Sequence, residues 1–331
     1  MSYTIPRFSK NANQFCIFPK KNFFLVEFFR FYAILFSVNP NNRSIIFMAN
    51  SCSAEALGKI GITTAKRGDI NTFIVKNKFA TAEFSAYGAH VLSYTPAGKS
   101  DLLWVSGKSN FQEGSPIRGG IPVCWPWFGP AAQPAHGKAR IAMWCLDDAR
   151  AEADGSTTIK LSLDQKDEFD LIAEMYINVG PALTVCLSTS NTGTEAYPLS
   201  EALHTYFAIS EITKIAVKGL AKEDLPEPDF PGYKEDGAIR FERETDLVCQ
   251  PGNKILIIQD DGWDRTIRVE RFGSKSAVVW NPWIEKAQRM PDFGDEEYHN
   301  MVCVEAANAK AGTVILDPGT THTIGTRISL V

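Results

Sequence analysis

The sequence predicts an all-β fold, a large antiparallel β-sandwich, on three observations. Apolar and polar residues alternate with a period of two in short runs, the runs are separated by Gly, Pro, Asn and Asp, and helical periodicity is almost absent after Asp69. Each such strand must bury one face against another layer. Many of them without crossover helices therefore imply stacked sheets. With 331 residues and 44% hydrophobic content the chain can fill a sizeable core. No period of roughly 20 to 50 residues recurs, which argues against a propeller or solenoid.

Taken in order, residues 1–60 are expected to be an N-terminal extension outside the core. Its phenylalanine-rich stretch Asn22 to Val38 carries Glu27 and Arg30 and is shorter than the ~20 apolar residues of a membrane span. It also lacks a small-residue cleavage site. A membrane or organelle address is the alternative reading. Met48 is a plausible second start, and Asn42-Arg43-Ser44 is a glycosylation sequon only in a secreted chain.

Residues 61–331 are expected to form one domain, since no internal linker divides them. Strands are predicted at Thr72 to Asn77, Val91 to Thr95, Thr158 to Gln165, Leu171 to Val179 and Leu183 to Ser190, the last two as a hairpin about Gly180-Pro181. Further strands are predicted at Lys254 to Gln259, Arg265 to Arg271, Ala277 to Trp280, Met301 to Ala306 and Thr323 to Val331.

A formal net charge of −4 with interspersed signs offers no basic field for nucleic acid, which leaves a small molecule as the expected partner. The seven cysteines, Cys16, Cys52, Cys124, Cys145, Cys186, Cys249 and Cys303, form no CxxC pair and are odd in number. Reduced thiols and a cytoplasmic location are expected.

Chemistry concentrates in four segments. Ser115 to Arg140 is dense in Gly and Pro and reads as a shaped loop, in which Gly119 and Gly120 permit close backbone approach. Arg118 and Arg140 can each present a planar fork of donors to an anion, although a single arginine is more often a surface residue. Glu201 to Ile209 reads as an apolar strand interrupted by His204, either a satisfied structural histidine or a proton carrier near neutrality. Glu305 follows the apolar run of Met301 to Val304 and reads as either a buried structural acid or a general base at a sheet edge. Trp280-Asn281-Pro282-Trp283, with Trp104, Trp125 and Trp127, supplies aromatic faces for a core or for sugar C–H groups.

Together, Asp101-Leu102-Leu103-Trp104, Ile117-Arg118-Gly119-Gly120-Ile121-Pro122, His136-Gly137-Lys138-Ala139-Arg140, Ala202-Leu203-His204-Thr205-Tyr206-Phe207, Trp280-Asn281-Pro282-Trp283 and Val302-Cys303-Val304-Glu305 resemble the hexose-6-phosphate mutarotases. These are the glucose-6-phosphate 1-epimerase branch of the galactose-mutarotase-like superfamily. The resemblance runs from about Asp69 to Val331 and implies an antiparallel supersandwich. It implies His204 as catalytic acid and Glu305 as catalytic base, with Arg118 and Arg140 on phosphate and His136 in the same pocket. Asp246 is similar to the family's sugar-hydroxyl carboxylate, although Thr245-Asp246-Leu247-Val248-Cys249 departs from the usual Asp-Arg-x-Tyr.

On that reading a monomeric isomerase exchanges anomers of a sugar phosphate by acid/base ring opening and closure, with no cofactor and no metal. The alternatives are a mutarotase of unphosphorylated aldoses, against which the arginine pair speaks, and a non-catalytic carbohydrate-binding sandwich. A lyase on a similar sandwich is more remote.

Overall fold

The computed structural model describes residues 54–331, and the expectations for Asn22 to Val38, Asn42-Arg43-Ser44 and Met48 lie outside them. Every strand pairing is antiparallel. A nine-stranded sheet runs from Ala238–Ile239 through Ile215–Lys218, Ile255–Asp260, Arg265–Phe272, Thr321–Leu330, Leu183–Asn191, Leu171–Val179 and Thr157–Gln165 to Cys145–Ala151. A six-stranded sheet orders Thr245–Cys249, Ser276–Asn281, Met301–Asn308, Glu201–Leu203 and Val123–Cys124, and Tyr206–Ala208 also pairs with Met301–Asn308. Ile62–Arg67, Ile70–Lys76, Ala80–Ser85 and His90–Pro96 make a four-stranded meander. A short pair, Tyr197–Leu199 with Val314–Leu316, completes the set.

The alternation read from sequence is the burial pattern of the large sheet. Leu171–Val179 buries every second residue, from Leu171 to Val179, and pairs with Leu183–Asn191 as the expected hairpin. One main core draws residues from all the sheets, including Phe84, Trp125, Trp144, Ile177, Phe207 and Val304.

Several strands escape the sequence pattern. Ile62–Arg67 begins before Asp69 and buries only Ile62 fully, because it is the outer strand of its meander. Cys145–Ala151 also lies at a sheet edge, where Arg150 pairs with Asp148 and Glu152 instead of facing a second layer. The helix Ala54–Lys59 precedes the first strand, and its Leu57 is buried in the core. Among the described residues no helix is long and apolar enough to cross a membrane.

The six-stranded sheet positions the chemistry. Glu305 does not follow a strand at a sheet edge; it lies within Met301–Asn308, flanked by strands on both sides. Nor is Glu201 to Ile209 one strand. Glu201–Leu203 and Tyr206–Ala208 both pair with Met301–Asn308, and His204 and Thr205 interrupt the run between them. Leu203 faces Ala306 and Tyr206 faces Cys303, so the shared register sets His204 opposite Glu305. The neighbouring cross-strand row is Asp246, Trp280, Cys303 and Tyr206.

Candidate active site

The interruption at His204 is held by backbone bonds. His204 N–H donates to Pro122 O at 3.0 Å, Thr205 N–H to Leu203 O at 2.8 Å, and Val304 N–H to Thr205 O at 3.3 Å. The imidazole stacks on the Tyr206 ring, with centroids 4.7 Å apart and planes at 11°, and meets the edge of Trp280 at 5.9 Å. Trp104 stacks on the far side of Tyr206 at 5.7 Å. A ring held between aromatic neighbours loses rotational freedom, which keeps one nitrogen aimed at a fixed point.

That nitrogen is Nδ1, 3.1 Å from Oε1 of Glu305. The approach lacks the angle of a hydrogen bond, so His204 Nδ1 and both Glu305 oxygens have no protein hydrogen-bond partner despite full burial of the carboxyl. Buried polar groups are otherwise nearly always satisfied, and an unsatisfied one calls for a reason such as a catalytic role or a bound water or ion.

Burial pushes the Glu305 carboxyl well above its ordinary range, and Asp246 adds to the effect. Burial also pushes His204 well below 6.5, and His136, Arg118 and Arg140 push it further. Carboxylate and imidazolium, the forms that a catalytic base and a catalytic acid require, are therefore not the favoured ones. Desolvation leaves both groups neutral, with one proton on the pair. Neutral acid plus imidazole, and carboxylate plus imidazolium, hold the same number of protons and differ only in where one sits.

His136 joins the pocket, its ring centroid 5.7 Å from that of His204. It has φ +64°, and Gly137 beside it has φ +78°. A Cβ on Gly137 would lie 1.9 Å from Trp125 O, so only glycine lets this turn close. Gly129 N–H donates to His136 Nδ1 at 3.3 Å. Burial and the two arginines lower His136 to about 4. The ring is therefore neutral, and with Nδ1 accepting, the proton sits on Nε2.

The two arginines differ. Arg118 donates from Nε and Nη2 to Asp292, at 3.2 Å each, and from Nη1 to the Tyr206 hydroxyl at 3.1 Å. Arg140 donates from Nη2 to Ala135 O at 2.6 Å and pairs with no carboxylate among the described residues. Gly119, next to Arg118, has φ +113°, and a Cβ there would come within 2.4 Å of Trp104 O. His90 Nε2–H donates to Gly119 O at 2.7 Å and secures the turn.

Asp246 lies at the rim, its side chain 56% exposed and 3.6 Å from Lys286 Nζ. Trp280 is only 7% exposed, and Lys286 Nζ lies 5.7 Å from its ring centroid, so little of its face is open. The structure thus brings His204, Glu305 and His136 together, with Arg118 and Arg140 close enough to act on both histidines, Trp280 packed against His204, and Asp246 exposed beside Lys286. Sequence reasoning missed Tyr206 as a stacking partner, and Asp292 and Glu297 altogether, because Pro291 to Glu297 reads as an acidic turn with no periodicity.

His204, Cys303 and Glu305 also place one donor atom each within 4.8 Å of one another, a set able to meet a single cation. Burial, then Glu305, raises the Cys303 thiol well above its usual range, so it is a neutral thiol beside the pair.

Comparison with known proteins gives a consistent picture. The family model described as aldose 1-epimerase matches residues 72–329. A protein of Escherichia coli (strain K12) named "Putative glucose-6-phosphate 1-epimerase" is 34% identical over 261 residues, 75% of this chain and 86% of that protein. One of the same name from Cenchrus ciliaris is 36% identical over 256 residues, 72% of this chain and 78% of its own length. The crystal structure of a "putative mutarotase" from Salmonella typhimurium superposes with a TM-score of 0.73 at 27% identity, covering 82% of this chain and 93% of that one.

Proposed function

The chain belongs to the aldose 1-epimerase family and is an isomerase, and we propose that it interconverts the α and β anomers of glucose 6-phosphate, with Glu305 and His204 as its proton carriers. The observation that carries this reading is the buried His204–Glu305 pair, with Nδ1 and Oε1 3.1 Å apart and neither atom in a protein hydrogen bond, close enough to Arg118 and Arg140 for both charges to act on His204. The relatives named for glucose 6-phosphate support the substrate.

Anomer exchange requires O1 to lose a proton while the ring oxygen gains one. The C1–O5 bond then breaks, the aldehyde rotates about C1–C2, and the ring closes on its other face. Glu305 as carboxylate takes the O1 proton, and His204 as imidazolium donates to O5. On closure Glu305 returns its proton to O1 and His204 recovers the one on O5, so the pair ends as it began.

The ionised form needed for opening is made accessible by the substrate. Arg118 and Arg140 are among the charges that hold His204 neutral, and a bound phosphate dianion offsets both. With that repulsion offset, carboxylate plus imidazolium becomes the accessible form of the pair. His136, neutral with its proton on Nε2, serves as a donor to a sugar oxygen. Asp246 accepts from sugar hydroxyls at the rim, next to Lys286. The phosphate lies remote from C1, and its contacts keep the sugar in register.

The test is proton exchange spectroscopy on equilibrated glucose 6-phosphate, following α-to-β cross-peaks with and without catalytic amounts of protein, beside a glucose control. Acceleration confined to the phosphate ester is the expected result. Equal acceleration of both sugars would favour a mutarotase of free aldoses, and none for either would leave a binding module.

A further inference from the structure

We propose that Asp292 is a positioning residue that sets phosphate discrimination, by holding Arg118 in the orientation from which its remaining N–H groups meet the phosphate. The inference rests on the epimerase reading above and assigns work to a residue outside the proton-transfer pair.

An arginine side chain has five N–H groups in a fixed fork. Arg118 commits two to Asp292 and one to Tyr206, which leaves two for a ligand. A guanidinium that is 21% exposed has little water to hold it, so its direction is set by these partners. The same three bonds connect the anion end of the pocket to the reacting end, because Tyr206 stacks on the His204 imidazole.

Asp292 can act this way because its own backbone is fixed. The next residue, Phe293, is fully buried and packs against Trp104 at 5.1 Å. Glu297 then ties the segment to the turn that carries Arg118: its carboxylate accepts from Gly294 N–H at 2.7 Å, Ser106 Oγ–H at 2.6 Å and Gly107 N–H at 2.7 Å. From that turn, Ser109 Oγ accepts from Arg118 N–H at 2.8 Å, and Ser106 N–H donates to Arg118 O at 3.0 Å. Guanidinium and carboxylate thus stand on one braced framework. Asp292 is also the ion-pair partner of Arg118, whereas Arg140 pairs with no carboxylate among the described residues.

The experiment measures anomerisation of glucose 6-phosphate and of glucose by exchange spectroscopy in the full chain, with Asp292→Ala, Asp292→Asn and Asp292→Glu, each checked for a cooperative melt. For Asp292→Ala the KM for glucose 6-phosphate is expected to rise about tenfold or more, with a far smaller change in kcat/KM for glucose. Asp292→Glu is expected to recover part of the loss. If the alanine variant does not fold, Asp292→Asn, which keeps the shape and one acceptor, decides the matter with a smaller rise. An unchanged KM overturns the proposal, and a lowered KM overturns it by showing that the carboxylate competes with phosphate. Wild-type preference that is lost in Arg140→Ala but kept in Asp292→Ala overturns this inference alone. A wild-type protein with no preference for the phosphate ester overturns the functional reading as well.

Discussion

Replacing Glu305 with glutamine separates catalysis from stability at this site. The substitution keeps volume and shape but removes the group proposed to accept the O1 proton. A positioned general acid or base contributes about 10² to 10⁴ in rate, or roughly 3 to 5 kcal/mol of barrier. Loss of kcat in that range is therefore expected. For stability the structure predicts the opposite sign from most core substitutions. Neither Glu305 oxygen has a protein hydrogen-bond partner, so no such bond is lost. The acid is fully buried and held well above its ordinary range, which means the native state disfavours its ionisation. An amide in its place cannot ionise, so the variant is expected to melt at or above the wild-type temperature at neutral pH. The assay is anomer exchange on glucose 6-phosphate, with the spontaneous rate subtracted, beside thermal melts from pH 5 to 8. A variant that keeps more than about a tenth of wild-type kcat removes Glu305 from the mechanism. One that loses activity together with its cooperative melt shows that the carboxyl is structural.

Three further expectations concern charge. Arg140→Ala should raise KM for glucose 6-phosphate about tenfold or more and leave glucose turnover much less affected, since a charged hydrogen bond to phosphate is lost; equal losses on both sugars would argue against phosphate binding. Asp246→Asn should weaken glucose and glucose 6-phosphate alike, because the rim carboxylate is assigned to hydroxyls common to both; a loss confined to the phosphate ester would contradict that role. Glu201→Gln tests a second buried acid, bonded to Asn308 at 3.1 Å and Thr189 at 3.4 Å, which burial raises from 4.5 to about 8. Between those values the native state keeps a proton that the unfolded chain has released, so the stability contributed by this group is fully present below 4.5 and falls as pH rises to 8. At about 1.4 kcal/mol per pH unit this group's contribution falls by on the order of 5 kcal/mol across that window. Urea melts should show a much flatter pH dependence in the glutamine variant, and parallel curves would refute the assignment.

The legibility of this protein in its sequence follows the range of the forces involved. Alternation along Leu171–Val179 or Arg265–Phe272 is a local property, imposed because each residue faces either a layer or solvent, and it marks the sandwich without knowledge of any partner strand. Ile62–Arg67 and Cys145–Ala151 lack it, because the first buries only Ile62 fully and the second only Leu146 and Ala149, so neither has a continuous covered face. His204 and Glu305 were recognisable as chemistry out of place in apolar runs, and Arg118 and Arg140 as forks in a Gly/Pro loop. What joined them was not local. The register of two short strands on Met301–Asn308 puts His204 across from Glu305, and the packing around them removes the water that would keep one charged and the other easily ionised. The hold of Asp292 on Arg118 likewise depends on two turns far apart in the chain being braced together by Glu297. Local patterning is enough to specify the fold class and the chemical types at the site. Protonation, orientation and the different partners of the two arginines come from tertiary structure, because desolvation and ion-pair geometry depend on neighbours that no local pattern encodes.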